Sequence, residues 1–477
     1  MTPRRCLALA AGLSLLILYL YGLDRMGVYS DDEPRYASIG REMARTGDFI
    51  TPRLWGDPWF EKPPLLYWMI AAAFRAGLSA DLAPRVPVAL LGVAFLIAFF
   101  FFVRREFGTP AAAYATAILS TAAGWIGLSQ IGVTDLPMAA MFGLTLLFTL
   151  PWLRTGERRY LNAAAVTLGL AVLAKSTPAI ILALPILWFG RRRWRDLLHP
   201  APILLFLAIA APWHIACYLH NGAIFPRVLF WRQQFERFVS PSLQHVQHWW
   251  FYLPLLPAAF FPWTPLLALL FRRSLYSDRR LVFLLVTAGW ILLFFSASTN
   301  KLPTYLLPLV PPLAVVMGVA LNQSPLAGRI VVGLSALACC AFPVLVMKLP
   351  TWMSRNPQAA APHLPLLLAS ISAIVLAAMF VIRSRAASVA LVAITAAAGY
   401  LWIKAEAFPF IDQAATARPV WHQIQSLNTP LCVKELPRDW RYGLNYYTQK
   451  PLPDCWRDPA ARTFLYYQNH RVLLEMP

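Results

Sequence analysis

The sequence predicts an all-α polytopic membrane protein, and three observations carry that prediction. The 477-residue chain is 58% hydrophobic and only 13% charged, where a soluble domain carries roughly a quarter charged residues. Its apolar residues come in runs near the roughly 20 that a helix needs to cross a bilayer. Its net charge of +20 sits in short arginine clusters between those runs, which reads as membrane anchoring and not as nucleic-acid binding. Length alone would suggest about three domains, but the runs argue for one membrane body.

The first run, residues 7–23, has no small-residue cleavage site after a short core and reads as a retained anchor, not a signal peptide. Further apolar runs cover 86–103, 136–153, 202–218, 281–295 and 365–382. Arg4-Arg5, Arg104-Arg105, Arg154 with Arg158-Arg159, Arg191 with Arg195, Arg272 with Arg280, Arg329, and Arg383 with Arg385 punctuate them. Setting each cluster on the inner side gives about 13 transmembrane helices, N-terminus in and C-terminus out. The pair around Lys175, 161–174 and 178–189, is short for spanning helices. All seven lysines (62, 175, 301, 348, 404, 434 and 450) then fall on the outer face. Basic residues are expected inside, so either anion binding or an arginine-rich composition must account for these.

The expected organisation is a transmembrane domain over 1–403, with its first outer loop at 24–84, and a small outer C-terminal domain of α/β-like character over 404–477. The tail carries Trp440, Tyr442, Tyr446, Tyr447, Tyr466 and Tyr467. No internal repeat is visible. Cys6, Cys217, Cys339 and Cys340 fall in or near spans and read as packing residues, and no Cys/His spacing suits zinc. Cys432 and Cys455 face an oxidising compartment on this topology, which predicts a disulfide between them.

The chemistry concentrates in the first outer loop. In "YSDDEPRYASIGREMARTGDF", Pro34 suits a first helical turn, and Tyr36, Ile39 and Met43 then share one face. This predicts an amphipathic helix on the outer leaflet with Asp31, Asp32 and Glu33 at its N-terminus, where unpaired N–H groups favour acids. Helix capping would explain an isolated acid, whereas three at a membrane exit point to function. In "WGDPWFEKPPLLYWMI", Glu61-Lys62 precedes a second interfacial helix with Leu65, Leu66, Trp68 and Met69 as its apolar side. A surface ion pair there would be worth under about 1 kcal/mol.

The stretch "DDEPRYASIGREMARTGDFITPRLWGDPWFEKPPLLYW" resembles the first outer loop of the GT-C membrane glycosyltransferases, in the aminoarabinose transferase (ArnT) branch related to protein mannosyltransferases. Further stretches match in order: "TDLPMAAMFG" from Thr134, "GLAVLAKSTPAI" from Gly169, "FWRQQFERF" from Phe230, "QHVQHWWFYLPLL" from Gln244 and "SASTNKLPTYLLPLVPP" from Ser296. Two departures stand out. Gln233-Gln234 occupies the place where these transferases usually read Glu-His, and the tail is shorter than theirs.

The resemblance implies a sugar donor linked to polyprenyl phosphate and a lipid A-like or other periplasmic acceptor. It places the enzyme in a bacterial inner membrane with its site on the periplasmic face and no nucleic-acid partner. Negative charge grows on the donor phosphate as it leaves, so transfer calls for fixed cations and hydrogen-bond donors aimed at it in a dry site. Lys62, Arg237 and Tyr305 suit that task, Arg35 and Tyr36 would place the loop near the phosphate, and Lys175 and Lys301 are further donor-phosphate candidates. Asp32 would be the general base for a hydroxyl acceptor, or would orient a phosphate acceptor that needs no base. Asp135, at the outer end of a span, is the second catalytic candidate. Helix capping would equally explain Asp135, and snorkelling would explain Lys175. No cofactor is required, but a divalent metal at Glu61 is possible by family analogy. His245 and His248 read as interfacial side chains. Two alternatives remain, a protein O-mannosyltransferase and a non-catalytic lipid-linked sugar flippase or exporter. The latter would place ionisable residues along a path inside the spans, not at one face.

Overall fold

Apolar runs bounded by Pro and Gly become helices wherever they are long enough to satisfy their own backbone in a bilayer. In the computed structural model, residues 3–240, 245–362, 384–427, 431–456 and 463–475 are described. The expected run at 365–382, together with Arg383, lies outside them. Among the described residues six helices are long and apolar enough to cross a membrane: Val86–Phe107, Asp135–Thr155, Pro200–Asn221, Arg279–Ala297, Pro303–Asn322 and Arg385–Ala415. Two bent pairs raise this to eight if each is one span, Tyr252–Ala259 with Thr264–Phe271 at 111° and Leu326–Cys339 with Phe342–Ser354 at 52°.

Two helices form the centre. Asp135–Thr155 buries 83% of its apolar window and Pro303–Asn322 buries 89%, against 22% for Pro200–Asn221. The central pair therefore makes the core, and the peripheral helix presents its side chains outward. Close approach is built in at Gly318, where a Cβ would meet the Ala115 backbone nitrogen at 2.6 Å. The run at 178–189 forms two short helices, Pro178–Leu182 and Leu184–Gly190. Pro185 has no N–H to continue the ladder across the break.

The bundle has two chemically different ends. At one, the Glu106 carboxylate accepts from Arg154 Nη2 at 3.0 Å and from Arg280 Nη1 at 3.4 Å, and Arg158 pairs with Asp196 at 2.8 Å. Arg385 there donates to the Leu321 and Asn322 carbonyls. The arginine clusters of several spans thus share one end. Asp135, Lys175, Ser298 and Tyr305 lie at the opposite ends of their helices.

Over that second end folds the first loop. Helix Asp32–Thr46 starts with Asp32 and Glu33 in its first turn and ends at Gly47, whose φ of 77° lets its N–H reach the Met43 carbonyl. Tyr36, Ile39 and Met43 are buried as their spacing predicts. The second interfacial helix, Leu65–Arg75, differs from expectation. Its buried residues are Leu66, Tyr67, Ile70, Ala71 and Ala73, with Leu65, Trp68 and Met69 only half-buried. It turns because it packs on the first helix, where Ile70 fills the space a Cβ at Gly40 would need.

The tail ends in a three-stranded sheet. Leu431–Lys434 pairs parallel with Thr463–Gln468, which pairs antiparallel with Arg471–Glu475. Cys432 and Cys455 are disulfide-bonded, 23 positions apart. Helix Arg438–Thr448 docks on the first loop. Tyr447 Oη donates to Asp81 at 2.6 Å and accepts from the Val28 N–H at 3.0 Å, while Arg41 donates to the Tyr446 carbonyl at 2.8 Å.

Candidate active site

Glu61-Lys62 sits in the short connection between the Arg53–Leu54/Asp57–Pro58 strand pair and helix Leu65–Arg75, which starts after the double proline. Glu61 gathers cations. Arg35 Nη1 donates to its Oε2 at 2.5 Å and Trp59 Nε1 at 3.2 Å, while Lys62 lies 3.4 Å and Arg237 4.0 Å from Oε1. Burial alone would raise the Glu61 carboxyl, but Lys62, Arg35 and Arg237 together hold it down at about 2. The same burial pulls the Lys62 ammonium down to about 8, with Glu61 opposing the fall and Arg237 adding to it.

Arg35 connects this pair to Asp32. Its Nη2 donates to Asp32 Oδ1, and its Nε donates to the Asp31 carbonyl at 2.9 Å. Its guanidinium lies 5.8 Å from the Trp59 ring and 5.3 Å from Tyr442 of the tail helix, within cation–π range. The Asp32 side chain keeps 34% of its surface exposed. Burial raises its carboxyl above the usual carboxylate range, Glu61 adds to the rise, and Arg35 and Lys62 oppose it. An acid tuned upward is better placed to take a proton.

A cavity of about 400 Å³ opens beside this cluster. Lys62, Lys175, Arg237 and Tyr305 line it, together with Gln233, Gln234, Asn300 and the rings of Phe230, Phe235, Phe238, Phe294 and Phe295. Lys175 Nζ donates to Asp135 Oδ1 at 2.5 Å and sits 4.5 Å from the centre of the Tyr305 ring. Arg237 Nε is buried without a hydrogen-bond partner. The Arg237 backbone is pinned from across the chain, where Asn300 Nδ2 donates to its carbonyl at 2.7 Å and Thr299 donates to the Phe238 carbonyl at 2.8 Å. Ahead of it, residues Arg227–Glu236 form a π-helix, a rare widened turn that is frequent at functional sites.

Ten residues were expected to form the site, and they divide into three groups. Lys62, Lys175, Arg237 and Tyr305 face the cavity. Asp32, Arg35, Glu61 and Asp135 stand behind them, joined by ion pairs. Tyr36 and Lys301, expected near the donor phosphate, do not line the cavity: the Tyr36 ring packs 5.7 Å from Tyr67, and Lys301 Nζ donates to the Gln247 and Ser298 carbonyls. His248 stacks on Trp250, and the His245 carbonyl accepts from the Lys301 N–H. Sequence reasoning missed Gln233 as a cavity residue, Asn300 as the clamp on Arg237, and Tyr442 as a wall of the Arg35 pocket. A polar residue inside an aromatic run was the available signal for Gln233. Nothing local marks Tyr442, which lies far along the chain from Arg35.

The donor set does not fit a divalent metal at Glu61. Its oxygens already accept from cations and an indole N–H, and among the described residues no three His, Cys, Asp or Glu side chains converge.

Comparisons agree with this architecture. The dolichyl-phosphate-mannose-protein mannosyltransferase family matches residues 61–215. The undecaprenyl phosphate-alpha-4-amino-4-deoxy-L-arabinose arabinosyl transferase of Pseudomonas aeruginosa is 35% identical over 369 residues, which cover 71% of this chain and 65% of that protein. The second such transferase of Pseudomonas fluorescens is 35% identical over 325 residues, covering 64% of this chain and 54% of its own. The chain thus spans under two thirds of the length of these curated relatives. Crystal structures of ArnT from Cupriavidus metallidurans superpose with a TM-score of 0.80, one of them bound to undecaprenyl phosphate. The bound form is 22% identical and covers 99% of this chain and 98% of that one. The arabinosyltransferase EmbB of Mycobacterium smegmatis superposes more loosely, with a TM-score of 0.51 at 12% identity over 94% of this chain and 44% of its own.

Proposed function

The chain is a relative of the undecaprenyl-phosphate aminoarabinose transferases and has their membrane fold, and from that premise we propose that it is an integral membrane glycosyltransferase. It moves a sugar from a polyprenyl-phosphate donor to a lipid A-like or other periplasmic acceptor. The observation that carries this reading is the convergence of Lys62, Lys175, Arg237 and Tyr305 on one aromatic-walled cavity at the end of the bundle opposite the Glu106–Arg154–Arg280 cluster.

In the proposed reaction an acceptor oxygen attacks the anomeric carbon of the sugar. The bond from that carbon to the phosphate oxygen breaks, and its electron pair leaves on the phosphate, which goes from diester to monoester. Lys62, Arg237 and the Tyr305 hydroxyl meet the added charge, with arginine able to grip two oxygens. Such preorganised donors need no rearrangement as charge develops. A hydroxyl acceptor passes its proton to Asp32. Arg35 holds Asp32 and Glu61 in register, and Asp135 orients Lys175. The aromatic wall suits the polyprenyl chain.

On the same reading the end that carries Arg154, Arg158, Arg280 and Arg385 faces the cytoplasm and the cavity faces the periplasm of a bacterial inner membrane. About 13 crossings and a separate outer domain over 404–477 complete the proposed topology. The test uses purified protein in lipid nanodiscs with undecaprenyl phosphate carrying a labelled sugar. Transfer to lipid A or a glycan that is lost in Lys62→Ala and Arg237→Ala supports it. Retention of wild-type transfer and lipid-phosphate binding in both variants would place the site elsewhere.

A further inference from the structure

The chemistry above leaves the sugar unspecified, and the charges around the cavity narrow it. Three lining residues are cations, Lys62, Lys175 and Arg237, and the remaining polar lining is neutral, including Gln233, Gln234 and Asn300. Among the described residues no aspartate or glutamate lines the cavity. The carboxylates nearby are ion-paired and stand outside the lining, Asp32 included although one side of it stays open. Glu61 is shared by Arg35, Lys62 and Arg237, Asp135 is paired with Lys175, and Asp32 with Arg35.

One neutral acceptor is left over. Gln233 Oε1 is buried with no donor, whereas Gln234 Oε1 already accepts from the Thr177 hydroxyl at 3.3 Å. A sugar hydroxyl can donate to such an oxygen and accept from a lysine or arginine in the same pocket. A sugar ammonium can only donate. It would add a positive charge beside Lys62, Lys175 and Arg237 where no carboxylate among the described residues lines the cavity to offset it, and like charges repel strongly in a poorly hydrated site.

We infer, resting on the glycosyltransferase reading, that the donor sugar is uncharged, with Gln233 reading one of its hydroxyls. It is not an amino sugar of the kind named for the Pseudomonas relatives. Gln233 is a specificity residue here because its neutral amide oxygen can accept from either group but supplies no counter-charge to an ammonium, so charge makes the discrimination.

The test is a competition assay on the full chain in nanodiscs at pH 7, with labelled undecaprenyl phosphate as the displaced probe. The competitors are undecaprenyl phosphate-linked arabinose and undecaprenyl phosphate-linked 4-amino-4-deoxyarabinose, which differ only in a hydroxyl against an ammonium group. The hydroxyl sugar should bind at least about tenfold more tightly. In Gln233→Glu that ratio should move about tenfold toward the amino sugar, because the new carboxylate supplies the missing counter-charge. Equal or tighter binding of the amino sugar by the wild type overturns the inference. An unmoved ratio in a Gln233→Glu protein that still binds the probe overturns the role of Gln233. If undecaprenyl phosphate itself fails to bind the wild type, the functional reading falls, and the choice of sugar falls with it.

Discussion

Asp32 and Glu33 are neighbours in one helical turn, yet they do opposite things. Glu33 is fully buried. Its carboxylate accepts from Arg85 Nε and Nη2 at 2.7 Å each, from the Gly132 N–H at 2.8 Å and from the Tyr29 N–H at 2.8 Å. Arg85 gives its other protons to the carbonyls of Leu23, Met26 and Gly27. Every polar atom in that knot has a partner within the protein, so nothing remains to offer a substrate. Asp32 has Arg35 as its ion-pair partner, and a third of its surface stays open. The same contrast separates the two arginines: Arg85 is saturated, while Arg35 bridges two carboxylates under an aromatic wall. Residual capacity, more than charge, marks the group available for chemistry.

The largest expected effect breaks the knot. Glu33→Gln keeps the shape but leaves Arg85 charged and uncompensated, which costs about 3–5 kcal/mol for a buried pair. Thermal unfolding in detergent should show the loss, and wild-type stability of the variant would refute a structural role. Asp32→Asn should do the reverse. Transfer should fall by roughly 100-fold or more, as for a lost acid–base group, with unfolding temperature and undecaprenyl-phosphate binding intact. Near wild-type turnover would reduce Asp32 to a helix cap.

Lys62→Ala removes a charged hydrogen bond worth about 1.5–3 kcal/mol, so lipid-phosphate affinity should drop about tenfold or more along with turnover. The pH dependence carries the same signature. The free Lys62 ammonium loses its proton near 8, and bound phosphate stabilises the charged form. Affinity is therefore full below pH 8 and falls by up to about tenfold per unit above it. Lys62→Arg, which keeps its charge there, should flatten that fall, and an unchanged slope would shift it to another group. The smallest effect belongs to Asp31→Asn. Asp31 is 40% exposed and 3.7 Å from Arg438, a pair worth about 0–1 kcal/mol, so turnover should change by a few-fold at most.

The sequence by itself determined the helical membrane class, the shared end of the arginine clusters between spans, the amphipathic helix beginning at Asp32, and most of the charged residues that the structure brings together at the candidate site. Those features follow from local rules: hydrophobic length, positional charge and helical spacing act within about 20 residues. It also placed Cys432 and Cys455 together from compartment logic. Only the tertiary structure decided which of three consecutive acids is sealed in a saturated knot and which keeps an open surface in the cluster beside the cavity. That choice depends on Arg85, on the Gly132 backbone and on Arg35 meeting Glu61, pairings that bring together residues 26 to 99 positions apart. The same holds for Asn300 clamping Arg237 and for Tyr442 reaching Arg35. A polar group's role is set by what else fills its hydrogen bonds once the chain has closed on itself.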